Sequence, residues 1–142
     1  MDQYELIEKS ILNCLIINPK LFDKLKVNSR YFRNHHRLFN FLKECYDRFG
    51  KLDISLIGTI CKNPSEALDY IADIMDTTSI SANFELYQNQ LILFHKDCLK
   101  IEDIHKLEQK LYKREIDIEQ FEEEIKMILG RYIWKTKQTV KL

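Results

Sequence analysis

Few residues of this 142-residue chain combine the types and spacing that metal chemistry needs. His95 and Cys98 lie three residues apart, so a helix would place an imidazole and a thiol about one turn from each other. Such a pair could supply two metal ligands, but a zinc site needs three or four, and His105 lies too far along the same helix to join. We therefore expect no metal site here, and we interpret the pair as a buried thiol beside an exposed imidazole.

The adjacent histidines His35 and His36 are the second candidates for chemistry. Neighbouring residues on a helix point about 100° apart, so the two rings could not act on one substrate atom. The sequence predicts instead that they pack or hydrogen-bond locally at a helix start.

Phosphate-binding motifs are absent from the sequence. The three glycines stand at positions 50, 58 and 130, which leaves no GxxxxGK[ST] run, no GxGxxG and no glycine-rich loop. We therefore expect no nucleotide hydrolysis, no catalytic or cofactor-binding residue and no cofactor, so the chain is not predicted to be an enzyme.

Residues 115–124 form an acidic segment, with carboxylates at Glu115, Asp117, Glu119, Glu122, Glu123 and Glu124. Acidic side chains are favourable in the first turns of a helix, where they face the positive end of its dipole. The main interpretation is therefore a solvated acidic helix face. The alternative is a docking surface for a basic partner.

Basic and aromatic side chains alternate in residues 30–37, a pattern typical of single-strand nucleic-acid binding. The possible nucleic-acid contacts are Arg30, Arg33 and Arg37. The competing interpretation is that Tyr31 and Phe32, which precede a helix, anchor it in the core as a hydrophobic staple. With 22 Lys plus Arg against 22 Asp plus Glu, the net charge is zero and gives no general electrostatic reason to bind DNA.

The composition is that of an ordinary globular protein, with 45% hydrophobic and 31% charged residues. The four cysteines form no CxxC pair and fall within apolar helical patterns, so we expect buried free thiols in a reducing cytoplasm. No basic segment precedes the first apolar residues, and no apolar run approaches the ~18 residues of a membrane span. We expect a cytoplasmic protein without membrane association.

The apolar spacing is helical almost throughout, and glycine and proline are too few for many tight turns. A first helix over about 3–17 should bury one face, made of Tyr4, Ile7, Ile11, Leu15 and Ile16. Further helices are predicted over about 19–26, over 35–49 with Asn34 as cap and Gly50 as stop, from Asp53 to Cys61, and from a cap at Asn63 to about Met75.

A long helix over about 82–111 follows, with Tyr87, Leu91, Phe94, Cys98 and Ile101 as its apolar stripe. Asp117 and Gln120 form a capping box, and Ile118, Phe121, Ile125, Ile128 and Tyr132 then repeat at heptad spacing. Two helices with a short polar connection should fold into an antiparallel hairpin. We thus predict an all-α chain: a compact head of about five short helices over 1–81, a long hairpin over 82–134, and a basic tail or linker start over 135–142.

A hairpin buries only one stripe of each helix, so other apolar side chains need a further surface. These are Leu86, Leu93, Met127, Leu129, Ile133 and Trp134, together with Ile92. We interpret them as an interface for self-association in a two-fold dimer or for a partner, because together they would form a large patch on a monomer. The alternative is packing on the chain's own head.

Short signals in a fixed order give the chain a family resemblance. They are Glu8 with Ile11 and Leu12, Tyr31-Phe32 before His35, Leu52-Asp53, Tyr70-Ile71-Ala72-Asp73-Ile74, and Ala82-Asn83 with Tyr87. In this order the chain, over about residues 4–130, resembles the N-terminal collar domain of DnaB-type replicative DNA helicases, which interacts with primase. It departs from that pattern where Asn13 replaces a glycine, where Lys51 replaces a proline, and where a longer glycine-containing loop is reduced to residues 62–64.

The resemblance implies a non-catalytic scaffold or adaptor of DNA replication, without the helicase motor in these residues. It implies self-association as a homodimer or higher ring, contact with a replicative helicase, a primase or a helicase loader, and weak or indirect contact with DNA. The alternatives are a domain similar to the helicase-binding C-terminal domain of primase, or a single-stranded nucleic-acid-binding module. The chain fits either the collar of a longer helicase or a freestanding copy from a phage or mobile element.

Overall fold

The computed structural model describes the backbone of residues 2–52 and 64–140, and the side chains of these residues except 64, 67 and 131–140. The helix predicted from Asp53 to Cys61 lies outside the described residues. Within them the chain is all α-helical and 3-10-helical, with no strand, which confirms the predicted fold class. The helices are α1 Gln3–Ile17, α2 His36–Phe49, α3 Pro64–Met75, α4 Phe84–Tyr112 and α5 Ile118–Val140, with 3-10 turns at Pro19–Lys24, Ser29–Tyr31 and Ser81–Asn83.

The chain forms two compact units, Met1–Phe94 and His95–Leu142, here called the head unit and the hairpin unit. The predicted division into 1–81, 82–134 and 135–142 remains a prediction. Helix α5 continues to Val140 and so includes most of the residues predicted as a basic tail.

Helix α1 starts where Asp2 caps it, since the Asp2 carboxylate accepts a hydrogen bond of 2.7 Å from the Glu5 amide. Its bounds match the predicted helix, but its burial does not match the single predicted face. Every residue from Glu8 to Leu15 is buried, whereas Ile7 and Ile16 are only half-buried. Helix α1 is therefore the centre of the head unit rather than a surface helix with one apolar stripe.

Two other helix boundaries confirm sequence signals. Gly50 ends α2 in the left-handed conformation at φ 66°, and its amide donates to the Tyr46 carbonyl over 2.7 Å. Pro64 is the first residue of α3, where the missing amide proton costs nothing.

The core of the head unit contains stacked aromatic pairs. Phe32 and Phe39 stack at 4.4 Å between ring centroids, and Tyr4 stacks on Phe94 at 5.7 Å. The core also contains fully buried aliphatic residues: Ile11, Leu12, Leu15, Leu42, Ile74 and Leu91. This core fixes the segment between α1 and α2 as well as the start of α4.

In the hairpin unit, α4 and α5 are joined by a short connection that ends in the predicted capping box. The Asp117 carboxylate accepts from the Gln120 amide at 2.8 Å, and the Gln120 side chain accepts from the Asp117 amide at 3.2 Å. Residues of α4 before the connection and of α5 after it line one groove, which confirms the antiparallel arrangement: Asp103, Lys106, Leu107, Lys110, Glu124, Met127 and Ile128.

The heptad pattern of α5 is confirmed at Phe121, Ile125 and Ile128, which are half-buried. The prediction is wrong for Ile118, which is exposed in the first turn of α5, and for Ile101, which is exposed on α4. Leu107 takes the inner position on α4, and its side chain is only 6% exposed. The side chain of Tyr132 lies outside the described part.

Candidate interaction surfaces

A buried carboxylate fixes the start of α2. Glu8 is fully buried, and its oxygens accept hydrogen bonds from the Asn34 amide at 2.9 Å, the Asn34 side chain at 2.7 Å and the His35 amide at 3.2 Å. His35, not Asn34, occupies the N-cap position, so the predicted Asn34 cap is wrong. The Asn34 side-chain amide instead donates to the Glu8 carboxylate on α1, and the same carboxylate accepts from the Asn34 and His35 backbone amides.

His35 continues this network towards α3. Its Nδ1 is hydrogen-bonded to the Tyr70 hydroxyl, its ring meets the Tyr70 ring edge-on, and its Nε2 lies 3.4 Å from a carboxylate oxygen of Glu5. His36 is exposed. His35 is thus packed as predicted, but its partners lie on α1 and α3 and are not local, and the two histidine rings do not form a common site.

Further polar residues of α1 hold α3 and the loop after it. Lys9, buried in the interior, pairs with Asp73 at 2.6 Å. The Asn13 side chain donates to the Ile74 carbonyl at 3.1 Å and accepts from the Ser79 hydroxyl. These ionisable and polar groups all have structural partners, and the network they form ties helices together.

Two of the four predicted buried thiols are confirmed, at Cys14 and Cys45. Burial raises the pKa of the Cys14 thiol above its ordinary value, while its contact with Ser79 partly opposes this. Cys98 and His95 are both half-buried, so the expected contrast between a buried thiol and an exposed imidazole is wrong. Cys61 lies outside the described residues.

Among the described residues, no group of three or more His, Cys, Asp or Glu side chains could hold a metal ion. The helices in this part of the chain are likewise too short or too polar to cross a membrane.

The segment before α2 is anchored to α4 by one amide side chain. Gln88 accepts from the Lys26 amide at 2.6 Å and donates to the Lys24 carbonyl at 3.2 Å, and it is itself almost fully buried. One turn earlier on α4, Glu85 pairs with the Lys26 ammonium at 2.5 Å. Sequence reasoning missed Gln88, since a polar residue on the helix interior has no periodic signal.

The possible nucleic-acid contacts Arg30, Arg33 and Arg37 are all exposed on the head unit. The Arg33 guanidinium carbon lies 5.9 Å from the centre of the Tyr4 ring. Phe32, in contrast, is only 2% exposed, which supports the staple interpretation for this aromatic residue. The arginines are therefore available to a ligand, and Phe32 is not.

The structure describes the side chains of all but two of the predicted interface residues. Leu86 and Leu93 on α4 and Met127 on α5 are more than half exposed, and Leu129 is exposed to a smaller extent. The side chains of Ile133 and Trp134 lie outside the described part of α5. Additional large apolar side chains, not predicted as interface, are exposed in the hairpin unit: Leu99, Ile101, Tyr112 and Ile118.

The six carboxylates of the acidic segment 115–124 are all exposed. They lie in the connection and in the first two turns of α5. This is the position expected for a solvated face that complements the helix dipole.

The described residues thus form an all-α fold. Its buried ionisable groups connect helices, and several apolar side chains of α4 and α5 are exposed. A family model, the DnaB-like helicase N terminal domain, matches residues 2–92. Since this is more than half of the chain, the chain belongs to that family, which is the non-catalytic part of the helicase. Searches of the curated proteins and of the solved structures returned no match.

The matched residues coincide closely with the head unit, which ends at Phe94. The resemblance seen in the sequence extends over about residues 4–130. The family match covers the part of this range that lies in the head unit. Residues 93–130 remain assigned to the collar by resemblance only.

Proposed function

We propose that this protein is a non-catalytic scaffold of DNA replication in the cytoplasm. It self-associates through its long helices, as a homodimer or higher ring, and contacts a replicative helicase, a primase or a helicase loader. Family membership supports the link to replication, and the exposed apolar side chains of α4 and α5 support the role in assembly.

The main support for this proposal is that the hairpin unit has few buried and many exposed apolar side chains. Among its described residues only Leu107 is buried, whereas six large apolar side chains are exposed: Leu99, Ile101, Tyr112, Ile118, Met127 and Leu129. Two helices with so little buried surface are marginal by themselves. A further surface that covers these side chains would supply the missing stabilisation.

On the head-unit part of α4, Leu86 and Leu93 add to this surface. They are seven residues apart, which is close to two helical turns, so both project from the same face of the helix. A pair of exposed leucines at heptad spacing is the pattern expected at a helix–helix interface. Burying each such side chain is worth roughly 1.5–3 kcal/mol, against the cost of association.

Sedimentation velocity at tens of micromolar tests self-association. We expect the wild type to sediment as a dimer or larger species and the Leu93→Lys/Leu129→Lys variant to sediment as a folded monomer, with folding checked by circular dichroism. Leu68→Lys is the control, because Leu68 is even more exposed than Leu93 and Leu129 but lies on α3. A monomeric wild type contradicts the proposal.

Titration of labelled protein with purified replicative helicase, primase and helicase loader tests the adaptor role. We expect saturable binding to at least one of them and none to an unrelated ring ATPase. Failure to bind any of the three would leave self-association standing but refute the adaptor role.

A further inference from the structure

The charge of this neutral chain is unevenly distributed. Residues 20–37, here called the basic segment, contain a single acid, Asp23, and six cations, Lys20, Lys24, Lys26, Arg30, Arg33 and Arg37. Five of the six are exposed without an ion pair in the part of the chain that the structure describes; only Lys26 is paired, with Glu85. The basic segment thus carries an excess of positive charge that the described residues leave uncompensated.

Two other cations of the head unit differ from these five because each forms an ion pair with an acid on its own helix. On α2, Lys43 pairs with Asp47 at 2.9 Å and Arg48 pairs with Glu44 at 2.8 Å, each one helical turn apart. Lys43 and Arg48 therefore have acids beside them, whereas Arg37 at the start of α2 and four further cations of the basic segment are exposed and have no ion pair among the described residues.

The backbone of the basic segment is held by hydrogen bonds, while the side chains of five of its cations are exposed: Lys20, Lys24, Arg30, Arg33 and Arg37. Gln88 binds it at Lys24 and Lys26, and the Tyr4 hydroxyl donates to the Tyr31 carbonyl over 2.6 Å. Phe32 is buried in the core directly afterwards. The cations are thus presented from an ordered chain, which lowers the entropy cost of binding an extended polyanion.

We propose that the basic segment binds the phosphodiester backbone of nucleic acids, independently of base sequence and strandedness. Phosphates are the natural ligands of exposed arginine and lysine side chains. Base stacking is not part of this mode, because Phe32 is buried and Tyr31 is half-buried. The binding is weak and salt-sensitive, on the order of 10⁻⁴–10⁻⁶ M, as is typical of purely electrostatic contacts. It is independent of the helix surfaces of the proposed assembly role.

Fluorescence anisotropy with a labelled 20-nucleotide oligo-dT and a mixed-sequence 20-base-pair duplex, at several salt concentrations, tests the proposal. We expect both probes to bind the wild type, with the duplex bound at least as tightly because its phosphates are denser. Arg30→Ala/Arg33→Ala/Arg37→Ala should weaken binding at least tenfold at low salt. It should also reduce the slope of log affinity against log salt for oligo-dT by about 2, since each lost phosphate contact accounts for about 0.7.

Two further variants separate the surface from general charge and folding effects. Lys106→Ala/Lys110→Ala/Lys113→Ala also removes three positive charges, but from the hairpin unit, and this variant should retain binding. Arg30→Lys/Arg33→Lys/Arg37→Lys keeps the charges and should retain most of it. If both triple-alanine variants lost the same binding affinity, the loss would depend on net charge alone, and the proposal would be overturned.

Binding of a different kind of ligand to the basic segment would give a different result in this assay. Tight binding of oligo-dT with no binding of duplex would indicate base recognition and refute the backbone mode. Binding of a 20-residue polyglutamate peptide without binding of either nucleic acid would assign the surface to an acidic protein. Because the arginine variant should still self-associate in sedimentation, failure here is distinguishable from failure of the proposed function.

Discussion

The Glu8 carboxylate binds Asn34 at two points: one oxygen accepts from the Asn34 amide at 2.9 Å, and the other accepts from the Asn34 side chain at 2.7 Å. Through this bidentate contact a residue in the middle of α1 determines where α2 begins. The same carboxylate also accepts from the His35 amide, so three donors depend on one buried side chain.

Glu8→Ala should therefore destabilise the head unit by about 3 kcal/mol, because it removes charge-assisted bonds and leaves the buried His35 amide and the part-buried donors of Asn34 without their acceptor. Glu8→Gln should cost less, since the amide oxygen can still accept one bond. Urea denaturation followed by circular dichroism measures both. Glu44→Ala, at an exposed position of α2, is the control and should stay within about 0.5 kcal/mol of the wild type. An unchanged midpoint for Glu8→Ala would mean that the network contributes nothing.

Gly50→Ala should cost about 1 kcal/mol by forcing a side chain into the left-handed region at φ 66°. A Cβ there meets nothing within 4 Å, so the cost is conformational and not steric. Gly130→Ala is the matched control with the opposite sign: its Cβ also meets nothing, its position is helical, and alanine should stabilise by about 0.5–1 kcal/mol. Thermal denaturation distinguishes the two, and a stabilised Gly50→Ala would refute the assignment of this cap.

The hydrogen bond from Lys26, followed by its charge, lowers the pKa of Glu85 below its ordinary value. Lys26→Met should raise that pKa, as measured by a carboxyl-carbon NMR titration, whereas Lys43→Met should leave it unchanged. Because the folded pKa is depressed, the pair stabilises the head unit above the ordinary glutamate pKa. This contribution is lost as the pH falls through the folded value, and exposure to solvent keeps it small. No change of the Glu85 titration in Lys26→Met would show that the pair does not persist in solution.

Local signals in the sequence predicted the helices well. The bounds of α1, the proline start of α3, the glycine end of α2 and the Asp117–Gln120 capping box all depend on residues within a few positions of each other. Such signals act through local backbone geometry, so a single sequence contains them in full.

The polar interior of the head unit could not be predicted in the same way. Glu8, Lys9 and Asn13 have their partners 26 to 66 residues further along the chain. Helical periodicity marks apolar faces only, and it therefore assigned one buried face to a helix whose central residues, from Glu8 to Leu15, are buried on every side. The Asn34 cap failed for a related reason, since the Asn34 side-chain amide donates to a carboxylate that lies 26 residues earlier in the chain.

The long-range contacts of α1 and of the segment after it also determine when in synthesis the head unit can form. The Ser79 hydroxyl that binds Asn13 and the Gln88 amide that binds Lys24 and Lys26 lie 62 to 66 residues after their partners. A nascent chain must therefore expose α1 until α3 and the start of α4 have emerged, and closing these long loops slows folding. The helices of the hairpin unit are neighbours in the sequence, so their contacts close shorter loops. The residues matched by the family model are thus the part of the protein that depends on long-range contacts.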